Sequence, residues 1–252
     1  MASGGDRSVL TRPVVAPDAV VAYGAGVEQV ADVYRGAGGE ARPLVVLIHG
    51  GYWRPQYDRA HLRPMAQALA VAGWSVALPE YTRVPGDPDA ALADVALAVR
   101  GLPDLLSRHD GQVILAGHSA GGHLALCAAS KVDLPALAGV LVLAPVADLQ
   151  LADELDVDGG AVREFLGQPA SARPDLDPCR LALPAVPVTV IHGDADTLAP
   201  VALTDSYAAA HPAAHIVLLP GVEHFQVIDP RSLAWPAVVA ELARFAAGCV
   251  HS

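Results

Sequence analysis

Apolar positions in this chain fall into two kinds of run. Short, β-rich and nearly continuous runs occur at Leu44 to Ile48, Ser75 to Leu78, Val113 to Leu115, Val140 to Leu143, Val188 to Ile191 and Ile216 to Leu219. Continuity rather than alternation means that both faces of such a strand are covered, as in a parallel sheet between helices. Between them lie stretches with apolar residues at helical spacing: Asp58 to Ala72, Asp87 to Leu106, Ala120 to Lys131, Val201 to Ala210 and Leu233 to Ala247. The second is the best marked, with Asp87 as N-cap, Pro88 at the first helical position and Leu92, Val95 and Val99 on one face. The alternation predicts a single α/β domain with a mostly parallel central sheet and helices on both faces. Ahead of it, Val14 to Tyr23 and Val27 to Tyr34 flank Gly24-Ala25-Gly26 and predict an antiparallel hairpin on the sheet edge.

The stretch from Ala147 to Pro187 breaks this rhythm. It separates two strands by about forty residues and carries only two short helix-like pieces, Leu149 to Leu155 and Gly160 to Leu166. Connections of that length are usually lids or binding loops, so residues 147–187 are expected to form a small lid or cap insertion.

Composition narrows the class of protein. With 252 residues, 53% apolar and 17% charged, the chain can bury a large core, which excludes intrinsic disorder. Its 16 basic against 27 acidic side chains give a net charge of −11, which repels phosphate backbones and anionic lipid heads, so no nucleic-acid or membrane partner is expected. The first ten residues lack a signal-peptide core and no run approaches the ~18 apolar residues of a membrane span, which predicts a cytoplasmic protein. Cys127, Cys179 and Cys249 are scattered, with neither a disulfide framework nor CxxC spacing. The tail Cys249-Val250-His251-Ser252 has the outline of a prenylation signal, but His251 is not aliphatic and no basic stretch precedes it, so it is read as coincidence.

The chemistry concentrates at predicted strand ends. Gly117-His118-Ser119-Ala120-Gly121-Gly122 lies between the strand Val113 to Leu115 and a helix, the context in which GxSxG forms a nucleophile elbow that exposes Ser119. A phosphate loop would require GxxxxGK[ST], and no lysine is present here. A serine hydroxyl is a weak nucleophile, so a carboxylate and a histidine should follow on later strand ends. Asp194 and Asp196 follow the strand Val188 to Ile191, and His224 follows Ile216 to Leu219. Upstream, Leu44 to Ile48 runs into His49-Gly50-Gly51-Tyr52-Trp53, where glycines let the backbone approach a reacting carbonyl and donate to its oxyanion.

Together, HGGYW, GHSAGG, GDAD and EHF resemble the α/β-hydrolase superfamily and, within it, the arylformamidase (kynurenine formamidase) group and related HGGxW esterases. The resemblance spans about residues 40 to 248. It implies the α/β-hydrolase fold, Ser119 as nucleophile, Asp196 and His224 as its relay, and an oxyanion hole from the N–H groups of Gly51, Tyr52 and Ala120. Asp194 is then left to cap the turn, His49 to brace its loop, and Trp53 to be structural or pocket-lining. Tyr52, Trp53 and Phe225 are expected to offer aromatic faces to a small-molecule substrate, and Arg54 or Arg83 to reach a carboxylate on it. No metal or organic cofactor is implied. Three functions stay open at this level: an aryl formamidase acting on a compound such as N-formylkynurenine, a general short-chain carboxylesterase, and a noncatalytic ligand-binding protein of the same fold.

Overall fold

In the computed structural model, which describes residues 6–37 and 42–248, the apolar runs become neighbours in one sheet. Its strands are β1 (Ala19–Ala22), β2 (Val30–Tyr34), β3 (Leu44–Ile48), β4 (Val76–Pro79), β5 (Val113–His118), β6 (Leu137–Leu143), β7 (Val188–Gly193) and β8 (His215–Leu219). They lie in the order β1-β2-β4-β3-β5-β6-β7-β8. Strands β1 and β2 pair antiparallel to each other, as does β2 to β4, and every other pair is parallel. The expected hairpin and parallel sheet are both present, and the architecture is the α/β-hydrolase fold.

Burial follows the strand pattern. All five residues of β3 and all six of β5 are buried, and successive residues enter opposite cores. Leu44, Val46, Ile48, Val113 and Leu115 pack with helices α2 (Pro88–Leu105), α3 (Ala120–Lys131) and α6 (Ala202–Ala210). Val45, Leu47, Ile114 and Ala116 pack with α1 (Arg63–Val71) and α7 (Trp235–Gly248) on the other face. A strand covered on both sides has no polar face to show, hence its continuous apolar run.

The expected helix from Asp58 to Ala72 is divided. Its first turn, Arg59–Leu62, is a 3-10 turn capped by the Asp58 side chain on the Ala60 N–H, and the α-helix proper begins at Arg63 with Pro64 in its first turn. The 147–187 segment holds α4 (Leu149–Glu154), α5 (Ala161–Leu166) and three 3-10 turns, Ala170–Ala172, Pro174–Leu176 and Pro178–Arg180. Helix α5 sits between Gly160 and Gly167, both in the left-handed region (φ +85° and +68°), and the Gly86 N–H ahead of α2 donates to its Glu164 and Phe165 carbonyls. Cys249 and the tail motif lie outside the described residues.

Topology decides where chemistry can gather. The chain adds β4 on one side of β3 and then crosses to add β5 on the other, so the loops after β3 and β5 leave neighbouring strands in opposite directions. A crevice opens at such a switch point, outside the carboxyl ends of the strands.

Candidate active site

Strand β5 ends at His118 and helix α3 begins at Ala120, leaving Ser119 as the whole turn. Its backbone has φ +55° and ψ −120°, a conformation that non-glycine residues rarely adopt and that surrounding structure must enforce. The Ser119 N–H donates to the Leu143 carbonyl at 2.9 Å, and its own carbonyl accepts from the His123 N–H at 3.1 Å. The flanking glycines are required by space. A Cβ on Gly117 would lie 2.3 Å from the Gly121 carbonyl oxygen, and one on Gly121 would lie 2.3 Å from that of Ile48.

The loops after β7 and β8 bring a carboxylate to an imidazole. Nδ1 of His224 lies 2.6 Å from Oδ2 of Asp196, while Asp196 Oδ1 accepts the N–H groups of Leu198 (2.8 Å) and Ala199 (2.9 Å). Burial alone would raise the Asp196 pKa, but hydrogen bonds from His192 and His224, with the Ala199 N–H, outweigh it and hold the carboxyl below the usual carboxylate range. An ionised Asp196 keeps the imidazole proton on Nδ1 and leaves Nε2 of His224 as an acceptor. His224 and Ser119 line the same cavity. Asp194 faces elsewhere: its Oδ1 accepts the Gly221 N–H at 2.7 Å, so it ties the β7 loop to the β8 loop rather than capping its own turn.

The loop after β3 runs against the elbow. A Cβ on Gly50 would lie 2.8 Å from the His118 carbonyl oxygen and 3.0 Å from Cβ of Ser119. Gly51, Tyr52 and Trp53 all take positive φ (+112°, +56° and +56°), which turns the chain around Ser119. His49 braces the loop: Nδ1 donates to the Gly50 carbonyl at 2.8 Å, the ring stacks on Tyr81 at 4.4 Å, and the Tyr81 hydroxyl donates to the His49 carbonyl at 3.0 Å. Its Nε2 lies 2.7 Å from Glu80 Oε1, and burial pushes the His49 pKa down to about 3.

A cavity of about 360 Å³ opens over Ser119 and His224. Gly51, Tyr52 and Phe225 line it, whereas Ala120 is buried directly behind Ser119. Trp53 corrects its pocket expectation. Its positive φ sends the side chain into the core, where it stacks on Phe165 at 4.5 Å and meets the His123 ring edge-on at 5.2 Å. Arg54 and Arg83 are also corrected as carboxylate anchors. Arg54 is engaged by Asp158 and Glu164, and Arg83 by Glu80 and the Tyr81 carbonyl. Sequence reasoning overlooked Leu10, Tyr57 and His61, which also line the cavity. Leu10 belongs to a 3-10 turn, Ser8–Thr11, that Arg12 anchors by a bidentate contact with Asp229.

Among the described residues, ligand atoms of Asp148, Asp177 and Cys179 come within 4.8 Å of one another. Their oxygens already accept N–H groups, Leu151 on Asp148 and Leu149 and Cys179 on Asp177, so the group serves as helix and turn caps. No helix of the described residues is long and apolar enough to cross a membrane.

Comparison with known proteins finds one family model and several esterases similar to this chain. The BD-FAE family model matches residues 31–150, the span from β2 through the elbow to the start of α4. Esterase B from Lactobacillus rhamnosis, solved in an inhibited form, superposes with a TM-score of 0.74 at 25% identity, covering 93% of this chain and 89% of that one. Esterase LipQ of Mycobacterium tuberculosis is 25% identical over 216 residues, 75% of this chain and 51% of its own. The chain is thus similar to esterases of the α/β-hydrolase fold. It is also similar to the kynurenine formamidase of Danio rerio, 31% identical over 137 residues that make up 52% of this chain and 46% of the relative. The chain spans about half the length of the curated relatives it matches.

Proposed function

We propose that this α/β-hydrolase is a serine hydrolase that removes a small acyl group from an aryl substrate. The observation that carries the reading is the 2.6 Å contact of His224 Nδ1 with Asp196 beside a cavity that Ser119 enters from a strained turn. His224 Nε2 takes the Ser119 proton, and Oγ attacks the substrate carbonyl. The tetrahedral oxyanion is held by the N–H groups of Gly51, Tyr52 and Ala120. The His224 imidazolium, stabilised by Asp196, then protonates the leaving group, and water repeats the cycle on the acyl-enzyme. Every proton in this cycle moves through His224, which is why the ionised Asp196 matters.

The specific form proposed is an aryl formamide such as N-formylkynurenine. Its support is the similarity to a kynurenine formamidase and the aromatic walls that Tyr52, Tyr57 and Phe225 give the cavity. A second reading, a short-chain carboxylesterase, is favoured by a different observation: Arg54 and Arg83 are engaged by protein carboxylates. Measuring kcat/KM for N-formylkynurenine and for p-nitrophenyl acetate on one preparation separates them. A formamide value of about 10⁴ M⁻¹s⁻¹ or better is expected, and one a thousandfold below the ester's would leave the carboxylesterase. Ser119→Ala should fold and lose nearly all turnover of both. Retained activity in that variant would overturn the serine mechanism.

A further inference from the structure

The imidazole one residue before Ser119 has no part in the chemistry above, yet three segments of the site meet at it. His118 closes β5, is buried, and borders the cavity. Its Nε2 donates to the main-chain carbonyl of His224 at 3.1 Å, and the two rings stand 4.6 Å apart, tilted by 48°. On its other edge lies the oxyanion loop, where a Cβ on Gly50 would come 3.4 Å from His118 Nδ1. That Nδ1 is buried and has no hydrogen-bond partner.

These facts fix the state of the ring. A neutral imidazole has one N–H, and His118 spends it on the His224 carbonyl, so Nδ1 is a bare lone pair facing Gly50. A second proton would bury a cation beside His224 just when that residue takes the Ser119 proton. Burial, and next the nearby His224, keep the His118 pKa well below the ordinary histidine value. An apolar side chain of similar size would fill this space without orphaning a nitrogen. What the imidazole alone adds is a donor to the main chain of the base.

We infer that His118 is a positioning residue: resting on the Ser119–His224–Asp196 reading, it anchors the backbone of His224 and so sets the distance from that imidazole to Ser119. Its effect belongs to the chemical step, since it holds the base and its one polar hydrogen is spent on the His224 carbonyl. The test compares His118→Gln, whose amide nitrogen reaches near the place of Nε2, with His118→Met, of similar shape but without a donor. On p-nitrophenyl acetate, His118→Met is expected to lower kcat ~30-fold with KM within about twofold, and His118→Gln to return to within about fivefold of the parent. Unchanged kcat in His118→Met, equal impairment of both variants, or a loss confined to KM would overturn the inference. Should His118→Met fail to fold, His118→Asn, too short to reach the carbonyl, replaces it against His118→Gln. The parent protein must also be labelled by a fluorophosphonate. No labelling and no hydrolysis would sink the serine reading and this inference with it, whereas an active parent with an indifferent His118→Met sinks the inference alone.

Discussion

At the scale of single residues, the site rests on small differences in where neighbouring groups point. Asp194 and Asp196 share one loop, and only contacts separate them: Asp196 Oδ2 faces His224 at 2.6 Å, while Asp194 Oδ1 holds the Gly221 N–H at 2.7 Å. Asp196→Asn should lower kcat by about 10⁴, because an amide cannot hold the His224 proton on Nδ1 as a carboxylate does. Asp194→Asn keeps an oxygen for Gly221 and should stay within about threefold of the parent rate. Steady-state kinetics on both variants checks this, and a reversed order would move the relay to Asp194. Glycines give a second contrast, in stability. Gly117→Ala puts a Cβ 2.3 Å from the Gly121 carbonyl and should cost about 3 kcal/mol or more. Gly101, inside α2 with 3.9 Å to its nearest neighbour, should gain about 1 kcal/mol on mutation to alanine. Urea midpoints that moved in the same direction would contradict it. The elbow and the meeting of Asp196 with His224 could be anticipated from the sequence because each occupies a fixed offset from an apolar run. His61, Leu10 and Tyr57 could not, because they reach the cavity through the packing of distant segments.

At the scale of elements, the strands were the most legible part, since a strand buried on both faces can only be written as an apolar run. Sequence spacing also found α4 and α5, but not where they dock. The docking is a tertiary matter: Phe165 of α5 stacks on Trp53, and Asp158 and Glu164 take Arg54. The 147–187 segment therefore holds the outer side of the loop after β3, and Arg54 works as its clasp. An arginine that bound substrate would, when lost, penalise carboxylate-bearing substrates selectively. Arg54→Ala should instead lower kcat/KM for charged and neutral aryl substrates alike, roughly tenfold, by loosening the loop that carries Gly51 and Tyr52. Selective loss with the charged substrate would restore Arg54 as a recognition residue.

At the scale of the whole molecule, the fold commits several imidazoles to the neutral state, and this makes stability depend on pH well above the carboxylate range. Burial lowers the pKa of His123 to about 4 and, aided by nearby His49, that of His61 to about 4, from 6.5. His118 shifts in the same direction for the same first cause. His49 shifts the same way, to about 3, again chiefly by burial, so in the folded chain it takes up its proton mostly below the range of the other two. For a group whose folded pKa lies below its unfolded one, the unfolded chain binds more protons in the window between them. Stability is therefore complete above about pH 6.5 and lost as the pH falls toward 4. His61 and His123 together should cost about 4 kcal/mol between pH 7 and pH 5, a large part of the ~5–15 kcal/mol of an ordinary domain. Asp196 and Asp229, whose pKa values are held low, add their own loss only further down. Urea unfolding at pH 8, 7, 6 and 5 should thus show a plateau and then a steep fall at constant m-value, and His61→Phe should remove about half of the calculated loss. A flat profile down to pH 5 would mean that these imidazoles take up protons without unfolding the chain.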